Sequence, residues 1–327
     1  MEGEERMSGT AINECEPNIT RGLWALTYRE LKKWLKDPVM LVMFVIQPLI
    51  WMGLLGKSMN IQGLFSVGNL ANNLNIPNIQ IPGSLTTPPF NGTIIIPGAL
   101  LAQQLQQMLP KIGDKIMLNT FGVTDYFSYM AIGMVSMIVM TTTMFSGMSI
   151  VWDRRLGFLD KVISTPVSRG AIIFAKVLNA TFRAMFQALV ILALAYLLGL
   201  KLSSTFTLLN VLGILAAILL VSIGLSSIFI AFSIRSTRME RPMQFVSLIT
   251  LPLMFASNTF FPTSMMPDFI QAIARVNPLT YLTDAIRQLT ILQLDASALI
   301  IDFIYLGVFA AVLGAIGVVL SWRYLTK

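Results

Sequence analysis

Histidine is absent from the 327 residues, and cysteine occurs once, at Cys15. Without imidazole there is no Ser-His-Asp triad, no histidine general base and no histidine-containing metal site. A lone thiol forms no internal disulfide, so cysteine usage says nothing of the redox compartment. Charge is scarce too: Asp, Glu, Lys and Arg make up 12% of the chain, against roughly 25% in a soluble domain. A secretory leader is not expected, because the acidic, proline-containing start Glu2–Pro17 reads as a disordered tail (1–18) ahead of the first apolar run.

What fills the chain instead is apolar: 55% hydrophobic residues and a mean hydropathy of +0.72, in long runs separated by short charged loops. A helical span needs about 20 apolar residues to cross a hydrocarbon core roughly 30 Å thick. Six stretches qualify, near Val39–Gly56, Phe127–Val151, Leu178–Leu200, Phe206–Ile234, Phe245–Phe261 and Leu299–Trp322. The predicted fold class is an all-α polytopic membrane protein with six transmembrane helices, span 1 at 39–56 and the remaining membrane domain at 127–327.

Lysine and arginine orient it. Fifteen of the 23 fall on the side that holds both termini, six on the other, and Lys176 and Arg183 lie in the third helix. By the positive-inside rule the termini are cytoplasmic. The net charge of +7 is largely this asymmetry and needs no nucleic-acid partner.

Residues 19–38 are predicted to be an interfacial amphipathic helix. Leu23, Leu26, Leu31, Trp34 and Leu35 share a broad face beside Trp24, while Arg29, Lys32, Lys33 and Lys36 point elsewhere. Basic residues opposite Leu and Trp suit the headgroup plane of membrane lipids, and Asp37-Pro38 breaks the helix. A plain cytosolic helix is the alternative. Residues 57–126 form a small extracellular segment rich in Asn, Gln, Gly and Pro, with β-like pieces such as Thr93–Ile96. A short helix at Leu100–Leu109 should end at Pro110. Asn91-Gly92-Thr93 fits a glycosylation sequon. Gly56-Lys57-Ser58 mimics a phosphate loop, but the pattern's first glycine falls on Trp51, so no nucleotide site is expected.

The loop Trp152–Gly170 is the most informative. Asp153–Ser164 is predicted to be a short amphipathic helix with Leu156, Leu159 and Ile163 on one face, Arg155 and Asp160 exposed, and Thr165-Pro166 as its stop. A bland interfacial connector fits the composition equally. After the fifth span, Pro252–Pro262, Met266-Pro267 and Asn277–Arg287 are broken by Pro and Asn and too polar to span. Such a segment enters a membrane only where protein or water covers it.

Both stretches resemble type-2 ABC exporter permeases, closest to the daunorubicin-resistance type. Gly157, Leu159, Asp160, Thr165, Pro166, Val167, Ser168 and Arg169 match the family's coupling-helix signature, and Asp153 stands where an acidic residue is common. Phe260-Phe261-Pro262 and Asn277-Pro278-Leu279-Thr280-Tyr281 match the pattern bracketing its re-entrant outer helices. Asn258-Thr259 departs from the usual Ser-Gly pair. Weaker matches are Arg29-Glu30, Asp37-Pro38, Gln47-Pro48-Leu49 and Asp125–Met130. The resemblance implies a cytoplasmic coupling helix at 153–168, with Asp153, Arg155, Gly157, Leu159, Asp160, Thr165, Pro166 and Arg169 meeting an ATPase. It implies an outer gate at 258–287 built on Asn258, Phe260, Phe261, Pro262, Asn277, Pro278, Tyr281, Asp284 and Arg287. It further implies a homodimer (or a pair with a paralogous permease) in the plasma membrane, served by two ABC ATPase subunits that hold ATP and Mg, this chain binding no cofactor.

The expected function is export of a hydrophobic drug or lipid, with polysaccharide or peptide as alternatives. An ATP-independent ion channel or secondary transporter is the competing class. The six stretches carry no acidic residue well inside them, Asp302 lying near an end, which argues against ion coupling. Met130, Met134, Met137, Met140, Met144 and Met148 recur at helical spacing and are expected to pack. Arg183 is expected to snorkel to the inner interface, with a partner inside the bundle as the functional alternative.

Overall fold

The computed structural model describes residues 19–58, 77–82, 93–165, 167–236 and 238–325. Almost all of it is helical. Helix α1 (Ile19–Leu35) is followed by α2 (Pro38–Trp51), which opens with proline where no intrahelical amide is needed. Pro48 removes one rung from α2, and beyond Trp51 the helix widens into a π turn, Met52–Ser58. The phosphate-loop mimic is thus helical. Strands β1 (Ile79–Pro82) and β2 (Thr93–Ile96) pair antiparallel, with Ile79 opposite Ile96. Asn91 of the sequon lies outside the described residues.

Helix α3 spans Gly98–Phe121, so the expected stop at Pro110 is overturned. A proline costs one hydrogen bond but leaves the turns on either side intact. The real terminator is Gly122, which takes a left-handed φ of 72° and returns its amide to Leu118.

The bundle is built around α4 (Tyr126–Met144), buried on nearly every side. Asp125 caps it by accepting from the Ser128 amide at 2.9 Å. Met130, Met134, Met140 and Met144 are core packing, as expected. Against α4 lie α7 (Arg169–Leu197) and α8 (Leu208–Ser233), and α12 (Ala296–Leu325) runs along α8. Gly224 permits that approach: a Cβ there would sit 2.6 Å from the Phe309 ring.

Four stretches are long and apolar enough to cross a membrane: α7, α8, α12 and the stretch 114–155 that holds α4 and α5 (Ser146–Arg155). The expected first and fifth spans are shorter. The apolar helical stretch at the first is Leu41–Leu54, running from α2 into the π turn, and α9 (Glu240–Phe255) begins before Phe245 and ends before Phe261. Its last turn meets Pro252 and a run of polar and small residues that no longer continues the helix. Ile300, Ile304, Val308, Val312 and Ile316 form an exposed apolar stripe on α12. Lipid or another subunit, rather than water, suits such a surface.

Candidate functional site

Two polar constellations occupy opposite ends of the bundle. At one end α5 stops at Arg155, Gly157 turns with φ 65°, and the six-residue α6 (Phe158–Ile163) follows. The single helix expected over Asp153–Ser164 is therefore two helices. A left-handed residue breaks the hydrogen-bond ladder, and glycine takes that conformation without a Cβ clash. Leu159 and Val162 bury against Ile172, with Ile163 partly buried beside them. Leu156, expected on the same face, is exposed, because the break rotates it away. Arg155, Asp160, Lys161 and Thr165 face outward, while Pro166 lies outside the described residues. Ser168 caps α7 by accepting from Ala171, and Arg169 is the first residue of that helix.

Asp153 does not face outward. It is 3% exposed and ion-paired with Lys176 of α7, whose ammonium also reaches Glu30 of α1 at 3.1 Å. Arg29 joins Glu30 at 3.1 Å and stacks 3.6 Å above the Phe158 ring. Helices α1, α5, α6 and α7 are thereby tied into one unit. Trp24 is exposed, but Trp34 is buried against Phe186 of α7, so α1 gives much of its apolar face to protein. Asp37 and Pro38 at its end are exposed.

At the opposite end the chain leaves α9 and runs irregularly through Ala256–Pro262. A short 3₁₀ turn, α10 (Asp268–Ala274) and α11 (Pro278–Thr290) follow. Irregular backbone in a water-poor interior needs donors from elsewhere. Arg287, 1% exposed, supplies most of them. Its guanidinium donates to the carbonyls of Asn258 (2.7 Å), Thr259 (3.0 Å) and Tyr129 (3.1 Å), and lies 3.4 Å from the Tyr129 ring centroid. The Tyr129 hydroxyl donates to Asn258 at 3.0 Å and the Tyr126 hydroxyl to Phe260 at 3.2 Å. The Asn258 amide donates to Asp284.

Asn277 serves two helices. Its amide nitrogen donates to the carbonyls of Leu253 and Ala256, both at 2.7 Å, closing α9. Its oxygen accepts from Leu279 at 3.0 Å, opening α11 at Pro278. Tyr281 donates to Arg275 at 2.6 Å and stacks on Tyr305. Phe260 is buried, Phe261 is exposed and Pro262 lies between. No described residue other than glycine has positive φ, so Asn258-Thr259 makes its turn without a left-handed residue. The turn presses on Gly133 of α4, where any Cβ would overlap the Thr259 carbonyl.

The structure places Asn258, Asp284 and Arg287 in one cluster with Tyr126 and Tyr129, and it pairs Asp153 with Lys176 and, through it, Glu30; sequence reasoning assigned no role to Tyr126, Tyr129, Glu30 or Lys176 in these clusters. The signal for Lys176 was its presence in an apolar helix, where a charge demands a counterion. Asp302 is also more deeply set than expected: it is 6% exposed and accepts from Gln288 at 3.1 Å.

The profile of the ABC-2 type transporter family matches residues 21–291, a range that includes both constellations. The chain belongs to that family. It is a type-2 ABC permease and a multi-pass membrane protein. It is 30% identical over 172 residues to transport permease ycf38 of Porphyra purpurea, covering 52% of this chain and 58% of that protein. Against ycf38 of Cyanophora paradoxa the figure is 27% over 164 residues, or 50% and 56%. The daunorubicin resistance ABC transporter permease protein DrrB1 of Streptomyces coeruleorubidus is 26% identical over 165 residues, 50% of this permease and 58% of DrrB1. The matched region spans somewhat over half the length of each relative.

Proposed function

We propose that this permease is the membrane-spanning half of an ATP-driven exporter that moves a hydrophobic compound, drug-like or lipid, outward across the plasma membrane. The observation that carries the reading is the unit made by α1, α5, α6 and α7. It buries Leu159 and Val162, presents Arg155, Asp160 and Lys161, and is cross-linked by the Asp153–Lys176–Glu30 ion pairs. A rigid charged ledge of this kind suits a motor subunit that pushes from the cytoplasm. In this reading α2 and α9 complete six spans, both termini are cytoplasmic, and two copies of the chain work with two ATPases carrying ATP and Mg. Gly157, Thr165 and Arg169 shape the ledge. The stretch 258–287 is the outer gate, held shut by Arg287 and Asn277. Outward release follows from different affinities of the two conformations for the cargo.

The test is co-purification with a candidate ATPase in nanodiscs, comparing wild type with Asp160→Arg and Lys161→Glu. Both substituted side chains are exposed, so the fold should survive, and melting temperature checks that it does. Wild type should co-elute with the ATPase and stimulate ATP turnover, and both variants should lose co-elution. A wild type that ignores every ATPase offered would sink the reading.

A second reading, an ion-coupled carrier, draws on Asp302, a buried carboxylate on a membrane-length helix, with Asp284 hydrogen-bonded close to the same end. It expects Asp302→Asn to abolish transport that runs on an ion gradient without ATP.

A further inference from the structure

Between α1, α2, the α4–α5 junction and α7 lies a groove of about 560 Å³. Its walls are apolar and polarizable: Phe44, Phe145, Met148, Trp152 and Met243. Its polar end holds Lys33 and Arg183 beside the acids Glu30 and Asp37. Glu30 is already taken by Lys176 and Arg29, and Asp37 is exposed at the rim and has a partner of its own. The uncommitted charge facing the groove is therefore positive.

Arg183 makes no hydrogen bond among the described residues. Its guanidinium rests 5.3 Å from the Trp34 ring centroid and 5.8 Å from that of Phe44, and its Nε is buried without an acceptor. Trp34, only 5% exposed, also lines the groove and also has an indole N–H without an acceptor. One turn to either side of Arg183 on α7, Asn179 Nδ2 and Gln187 Nε2 are donors in the same condition. Gln187 uses its oxygen to accept from Thr142, itself a groove residue. Residues four apart share a helix face, so these groups form a row of donors with no acceptor among the described residues, and of them Arg183 and Trp34 line the groove. A buried donor left this way costs about 1–3 kcal/mol. Two of the donors, guanidinium and indole, have no acceptor capacity at all. Whatever fills the groove must supply acceptors at one end and an apolar body at the other.

We propose that this groove binds an amphiphile with a single anionic head, phosphate or carboxylate. The head sits on Arg183 and the Trp34 N–H, and the chains lie along Phe44, Phe145 and Trp152. As the cargo of an exporter, the amphiphile rests on the function proposed above. As a bound ligand it rests on the groove alone. Arg183 sets specificity through charge, and Trp34 positions the head.

The experiment has two arms. In the first, the full chain in detergent, without any ATPase, is titrated with dioctanoyl phosphatidate, dioctanoylglycerol, dodecyltrimethylammonium and inorganic phosphate, read by tryptophan fluorescence. Phosphatidate should bind at least tenfold tighter than the neutral and cationic probes. Arg183→Gln should erase that preference, Arg183→Lys should keep most of it, and Trp34→Phe should weaken it several-fold with the ring still in place. Equal binding of all amphiphiles, an unchanged preference in a folded Arg183→Gln, or exclusion of every probe by a second copy sealing the groove would overturn the site. Phosphate binding as tightly as phosphatidate would overturn the amphiphile. In the second arm, proteoliposomes with a docked ATPase are assayed for ATP turnover. Stimulation by phosphatidate and not by dioctanoylglycerol supports cargo. Selective binding without stimulation, in a preparation that turns over ATP, overturns cargo in favour of a resident membrane lipid. Failure of any ATPase to dock refutes the exporter reading and is seen in co-elution, separately from the binding curve.

Discussion

Arg287 illustrates how a single side chain can hold an irregular turn inside a membrane domain. Its guanidinium serves three carbonyls on two segments, and no ammonium can reproduce that fork. Arg287→Met should cost about 2–4 kcal/mol, since each buried polar group left unpaired costs about 1–3 kcal/mol. Arg287→Lys should fall between, and thermal melts in detergent rank the three proteins. Lys176 makes the matching case at the other end. Lys176→Met leaves Asp153 buried without a counterion and should destabilise by about 3 kcal/mol. Adding Asp153→Leu removes the orphaned charge, so the double variant should recover much of the loss. A double variant no better than Lys176→Met alone would show that the pair is not a unit.

At the scale of elements, glycine separates close packing from open space. Gly133→Ala drives a methyl into the Thr259 carbonyl and should cost about 1–3 kcal/mol, as overpacking does. Gly170→Ala, in the first turn of α7 with nothing within 4 Å, should be neutral or slightly stabilising. Chemical melts of the two variants distinguish these outcomes. Asp295, in the loop before α12, is held below the ordinary carboxylate range by the Ser297 hydroxyl and the Ala298 and Ser297 amides. A depressed folded pKa means its capping is in place at neutral pH and is lost as pH falls through that lowered value. Protection factors of the 297 and 298 amides, corrected for the intrinsic exchange rate at each pH, should therefore fall in acid for wild type and be low already at neutral pH in Asp295→Ala.

Elements were legible where their signals were local. Asp125, Ser168 and Asn277-Pro278 mark helix starts by their own chemistry, and the long apolar runs of α7, α8 and α12 leave little choice. Gly157 was visible as a glycine, but nothing local said that it would split a helix and turn Leu156 outward. Pro110 misled for the opposite reason, since a proline's cost is set by the surrounding packing. Glu30 and Lys176 are 146 residues apart, Tyr129 and Arg287 158, and no window of sequence contains both partners.

For the whole molecule, the charge asymmetry makes a direct prediction of sidedness. Cys15 is the only thiol, so an impermeant maleimide should label the protein in inside-out vesicles and leave it untouched in right-side-out cells. Labelling from the outer face would invert the proposed topology, placing α6 outside and the α11 region inside, and would end the coupling argument with it. The two constellations also lie at opposite ends of the same buried helix, α4 with its continuation α5. A displacement of the α5–α6 junction has a continuous packed route to the Asn258 turn through α4.

The bond between Glu30 and Lys176 also dictates an order of birth. Its partners are 146 residues apart, so a ribosome adding roughly 5–20 residues per second delivers the second about 7–30 s after the first. Throughout that interval α1 has been made but α7, against which it packs, has not. The basic residues of α1 and its exposed Trp24 suit a bilayer surface, and that is where the nascent helix is expected to wait until the lysine of α7 arrives.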